Sequence, residues 1–140
     1  MSEISWVHIA CGWRAGNELR SSTVLIPKMQ YAAVILQCMV KRIGLEGERG
    51  EEYPSLFQDA LGCAYKQFMT DQPVIPPKTE RLCLAFFQKC LEGVAYFVYA
   101  HIPGIDGHRR ASFWDAAAKA VYEDLPLLLR EIENRCSAHE

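Results

Sequence analysis

"LCLAFFQKCLEGVAYFVYAHI", residues 82–102, is the stretch on which the fold turns. It is long enough to span a bilayer and most of it is apolar. Gln88, Lys89 and Glu92 lie near its middle, where charge is costly in lipid. The stretch therefore reads as the buried central helix of a helical bundle, with no membrane involved. Leu82, Cys83, Phe86, Phe87, Cys90, Val94, Phe97 and Val98 recur at three and four residues and make its expected core stripe. Thr79 is the expected N-cap, Glu80 suits the first turn, and Pro103-Gly104 ends the helix.

Toward the N-terminus, "TVLIPKMQYAAVILQCMVKRIG" predicts a second, largely buried helix. Pro27 fits its first turn, the helix runs from Lys28 to Ile43, Lys41 and Arg42 favour its negative end, and Gly44 stops it. Residues 1–20 fit either a helix or a strand. Trp6, Ile9, Ala10 and Trp13 share one helical face, so a short helix ending near Ala15 is the preferred reading. Between these segments and the central helix, 45–53 is a charged loop. Pro54 opens an amphipathic helix to about Met69, with Phe57, Ala60, Leu61, Ala64, Tyr65 and Phe68 inward. "TDQPVIPPK", residues 70–78, has three prolines in nine residues and predicts an extended connection, a crossing segment or a docking arm.

Toward the C-terminus, Trp114, Ala118, Val121, Leu125, Leu128 and Ile132 alternate spacings of four and three, a short heptad-like seam. Pro126 predicts a kink, or two helices meeting near Asp124. The polar tail from Asn134 is expected to fray. No alternating strand pattern occurs. The expected fold is all-α, a compact single domain of five to six helices over 1–140.

The chain has 140 residues, 50% hydrophobic and 23% charged, enough to bury a core without metals or disulfides. Its net charge of −2 argues against a polyanionic partner for the whole surface. Residues 1–42 nevertheless carry a net +3 and the remainder −5. The start "MSEISWVHIAC" lacks the features of a signal peptide, so a reducing cytoplasmic setting is expected. The six cysteines contain no C-x-x-C pair and read as small core hydrophobes.

The sequence has no phosphate-binding loop, dinucleotide fingerprint, nucleophile elbow or zinc-protease motif. His8 and Cys11 are three apart, too short a pattern to define a catalytic dyad. "HIPGIDGHRR", residues 101–110, is the most site-like segment. His101, Asp106 and His108 are metal-ligand types at a spacing that matches no specific motif. Arg109 and Arg110 could add charge to an anion site at a new helix start. The competing reading is a corner between helices, with Asp106 as a cap and Asp-Gly as a turn. Arg14, Arg20, Lys41 and Arg42 are candidate nucleic-acid contacts. Trp6, Trp13, Pro73 and Ile75 are candidate partner contacts.

These observations favour a non-enzymatic protein–protein interaction module: a small subunit, inhibitor, immunity protein or regulatory adaptor. No catalytic residue and no cofactor is assigned. A second protein is the expected partner, and self-association is open. Two alternatives stand beside it. One is a small subunit that binds a nucleic-acid backbone; the other is a metal- or anion-dependent enzyme using the 101–110 loop.

Overall fold

The computed structural model describes residues 15–41 and 52–137, with side chains placed over 24–40 and 52–136. The described residues are helical, with no strand among them. Helix α1 is Ala15–Lys41, α2 is Tyr53–Asp71 and α3 is Pro77–Ala100. A last rod joins α4 (Gly107–Lys119), a π-helical turn (Ala120–Asp124) and α5 (Leu125–Ser137). The described residues thus form four rods. The expected count of five to six included a helix within 1–20, of which 1–14 lie outside the described residues.

The rods pair along the chain. α1 packs mainly on α2, while α3 packs mainly on α4 and α5. One buried cluster joins both pairs. Leu25, Met29 and Leu36 enter it from α1, Ala64 and Phe68 from α2, and Cys83, Phe86 and Cys90 from α3. Ala117, Val121, Leu125 and Ile132 enter from the last rod. Phe87 ties the two pairs together, with ring centroids 5.6 Å from Phe68 and 5.2 Å, edge-on, from Tyr65.

Several boundaries differ from expectation. Pro27 lies inside α1 rather than at its start. It has no N–H to give the Thr23 carbonyl. Burial of Leu25 and Ile26 before it and Met29 after it holds the helix through the missing bond. Residues 70–78 are not an extended arm. α2 continues to Asp71, and Gln72–Val74 form a 3-10 turn, leaving Ile75 and Pro76 as the extended link. The prolines sit at the starts of turns, where an absent N–H removes nothing. Thr79 is not the cap of α3. Pro76 and Pro77 start that helix two residues earlier, so Thr79 is buried within its first turn.

The last rod absorbs Pro126 without breaking. Leu125 N–H bonds the Ala120 carbonyl, five residues back. The Val121 carbonyl would then look to residue 126, which is proline. Gln37 on α1 supplies the donor, Nε2 to the Val121 carbonyl at 3.3 Å. Asp124, at the end of the π turn, bridges Lys119 at 3.2 Å and Lys89 at 3.5 Å. The wide turn also moves the core face on by one position. Val121, Leu125 and Ile132 of the expected seam are buried, but Leu129 packs on the core instead of Leu128. The tail is helical to Ser137 with Cys136 buried, so the fraying expected from Asn134 is not found in the described residues.

Candidate functional site

The 101–110 segment is a corner of defined geometry. α3 ends at Ala100, and N–H groups of His101 and Ile102 bond back to the carbonyls of Val98 and Tyr99. Gly104, at φ +84°, makes the left-handed bend. Asp106 then caps α4, its Oδ1 accepting the Arg109 N–H at 2.8 Å.

This arrangement uses up most of the groups that suggested a metal or anion site. His101 donates from Nδ1 to the Phe97 carbonyl at 2.8 Å, since a carbonyl can only accept. Its ring lies 4.4 Å from Phe97 and edge-on to Trp114 at 5.6 Å. Among the described residues no three His, Cys, Asp or Glu side chains are grouped to hold a metal ion. His101, Asp106 and His108 are thus neighbours in sequence without being a ligand set. At the start of α4 the Asp106 carboxylate already accepts one of the N–H groups an anion would use, that of Arg109. Arg109 and Arg110 remain exposed, with Arg110 Nη2 resting 3.4 Å from the Ile105 carbonyl.

The corner instead forms one wall of a shallow pocket of about 400 Å³, lined by Tyr99, Ile102, Pro103, Ile105, Arg109 and Phe113. Tyr99 and Phe113 meet at 5.3 Å. The pocket opens onto an apolar surface that sequence reasoning missed. α3 was expected to be the buried central helix, with Val98 in its core stripe. Only one side of it is buried, and Val98 is 52% exposed. The reason is topological: α4 and α5 cover one side, and α2 reaches α3 chiefly through the rings of Tyr65 and Phe68 against Phe87. Leu84 and Leu91 stand out on the open side at 44% and 55%, and with Val98 they fall at seven-residue intervals. Gln88 and Ala95 fall between them, and Ile102 continues the line past the helix end. The 84-91-98 repeat was readable as a second stripe. The strength of the buried stripe hid it.

A second groove of about 390 Å³ lies between α1 and α2, almost wholly apolar, around Tyr31, Leu56, Ala60 and Cys63. Of the candidate partner contacts, Ile75 is corrected: it is buried in the core, because its extended backbone turns the side chain under the link. Pro73 is exposed. Trp6, Trp13, Arg14 and Arg42, with the His8–Cys11 pair, lie outside the described residues. Arg20 and Lys41 belong to α1, without described side chains.

The cysteines divide by environment. Cys83, Cys90 and Cys136 are buried, Cys38 is half-buried and Cys63 is exposed, so Cys63 is not the core residue expected. Burial pushes the Cys83 and Cys90 thiols up to about 12. Such thiols stay protonated and unreactive at neutral pH. Lys89 is held above its usual range, chiefly by its hydrogen bond to Glu92 at 2.9 Å, and ties α3 to Asp124 of the last rod.

Comparison of the chain with protein families, curated proteins and solved structures finds no match. A reading of function therefore rests on the geometry of this chain.

Proposed function

We propose that the chain is a non-enzymatic protein–protein interaction module, acting in the cytoplasm through the open face of α3. The exposed repeat of Leu84, Leu91 and Val98 carries this reading. A single exposed leucine is ordinary on a folded surface. Three large apolar side chains in line along a helix, leading into an apolar pocket, match the surface that a partner helix covers. Over the 14 residues from 84 to 98 the line is about 21 Å long at 1.5 Å per residue.

The test is a pull-down from the native host with wild type and with Leu91→Glu, each partner identified by mass spectrometry and quantified. A stoichiometric protein partner lost in the variant supports the reading. Equal recovery with both proteins, or no partner with either, overturns it. Circular dichroism and the melting temperature of Leu91→Glu are expected to match wild type, since Leu91 is on the surface.

A further inference from the structure

Resting on that reading, we propose that the open face of α3 docks an acidic amphipathic helix of another protein. Its apolar stripe would seat on Leu84, Leu91 and Val98, and its carboxylates would meet cations at both ends of the face.

The apolar part follows from spacing. Residues at 84, 88, 91, 95 and 98 alternate four and three, the pattern of a seam between helices. Ala95 is small enough to admit a large side chain from the partner. At the end of the seam the Tyr99–Phe113 pocket offers room for one more apolar knob beside Arg109.

The charge of the partner follows from which groups are already engaged. Of the acids on this side of the molecule only Glu92 is paired with a cation. Glu80 and Asp106 accept from neutral donors, and each is outnumbered by two cations close in sequence, Lys78 and Arg81 or Arg109 and Arg110. Glu80 accepts from Gln72 Nε2 at 2.6 Å, Glu92 is paired with Lys89, and Asp106 caps α4. The cations are different. Lys78 and Arg81 at one end and Arg109 at the other are exposed, and no described acid pairs with their side chains. Arg110 reaches only a backbone carbonyl. The face is thus apolar in the middle and positive at both ends, and its complement is an acidic helix.

The same charges argue against the other occupants. A second copy packed parallel sets Arg81 on its own counterpart. Packed antiparallel about Leu91, it sets Lys78 and Arg81 on the Arg109–Arg110 corner. In both arrangements each end sets two cations and one acid against two cations and one acid, so net positive charge meets net positive charge. An anionic membrane would suit the cations, but it would draw Gln88, in the line of the seam, and Glu92 beside it toward the acyl layer at a cost.

The experiment uses the full chain and two fluorescein-labelled amphipathic peptides, each about three heptads long. Both carry Leu along one stripe. One has Glu at the flanking positions and the other Lys. Fluorescence anisotropy is expected to show the Glu peptide binding at least about tenfold more tightly. Its binding should weaken with salt, be lost in Leu91→Glu and in Val98→Glu, and fall about tenfold or more in Arg81→Glu/Arg109→Glu. Equal binding of both peptides overturns the acidic partner but leaves an interaction surface. Binding of neither peptide by the folded protein overturns both. A wild-type dimer by light scattering that Leu91→Glu makes monomeric assigns the face to a second copy. Leu91-dependent binding to phosphatidylserine vesicles assigns it to a membrane. Either result overturns the proposal.

Discussion

Gln37 and Tyr122 are joined across the gap between α1 and the π turn, and Gln37 holds that turn a second time through Val121. The Tyr122 hydroxyl donates to the Gln37 carbonyl at 2.7 Å, while the Gln37 side chain donates to the carbonyl of Val121, the residue before Tyr122. The second bond satisfies the acceptor that Pro126 leaves without a helical donor. Gln37→Leu is expected to lower stability by about 1–3 kcal/mol, the cost of an unsatisfied part-buried carbonyl. Pro126→Ala puts an N–H back within reach of that carbonyl. The loss caused by Gln37→Leu should therefore be smaller in a Pro126→Ala background. A double-mutant cycle by urea denaturation measures the coupling, and strictly additive losses would refute it.

Gly93 is buried where α3 crosses α1 and the π turn. A Cβ placed there meets Val121 Cγ2 at 3.0 Å and Leu36 Cδ2 at 3.4 Å. For alanine, about 1 kcal/mol of helix propensity opposes a small crowding penalty. Gly93→Ala is expected to stay within about 1 kcal/mol of wild type, and Gly93→Leu to lose more than about 2 kcal/mol. Thermal unfolding of the pair reads the difference, and a leucine variant as stable as the alanine one contradicts the close packing.

Asp106 works as a cap, not as a ligand. Asp106→Ala should cost about 1 kcal/mol of stability. Partner recovery in the pull-down should be unchanged at a temperature where the variant is folded. A variant of full stability that loses its partner would move Asp106 from the scaffold to the interface.

The thiols should respond to alkylation in the order of their exposure. Under native conditions at neutral pH, iodoacetamide followed by peptide mapping should label Cys63, and should label Cys83 and Cys90 only after denaturation. Rapid native labelling of Cys90 would mean that the core opens far more often than its burial implies.

Alkali should destabilise the fold through the same two groups. Cys83 and Cys90 have folded values raised from 9.0 to about 12. Their contribution is whole below pH 9, where folded and unfolded chains are both protonated. It falls from pH 9 toward 12, because the unfolded chain then releases protons that the folded chain keeps. Urea midpoints measured across that range are expected to drop, and Cys90→Ala should flatten the slope even though it lowers stability at neutral pH. An unchanged slope in that variant would show that other groups drive the loss.

Much of the architecture was legible because burial leaves a periodic signature. The inward positions Phe57, Ala60, Ala64 and Phe68 place α2, and Cys83, Phe86, Phe87 and Cys90 place the core side of α3. Pro27 was misread, and Pro126 read only in part, for one reason. The local preference of proline is clear, but whether a helix runs through it depends on what is buried around it. Leu25, Ile26 and Met29 hold α1 together at Pro27, and Gln37, distant in sequence, serves the carbonyl left over by Pro126. The candidate surface was hidden for a different reason. An exposed leucine stripe and a buried one have the same spacing, and only the arrangement of the other helices decides which is which. At the 101–110 corner the cap and turn chemistry could be read directly. The ligand-type residues there gave no sign of whether their polar groups were already engaged, as His101 and Asp106 prove to be.

The π turn also limits how the chain can change in length. An α-helix advances about 100° per residue, so one residue more or less turns everything beyond it to a new heading. Between Ala120 and Asp124 the rod already holds a wide turn, and Leu125, Ile132 and Cys136 face the core only because of it. Deleting one residue there would turn the wide turn into an α turn and keep those three side chains on the core, whereas a deletion elsewhere in the rod would swing the residues beyond it toward solvent. Insertions and deletions in related sequences should therefore gather at the 101–106 corner, and within 107–137 only a one-residue deletion at the π turn should be found.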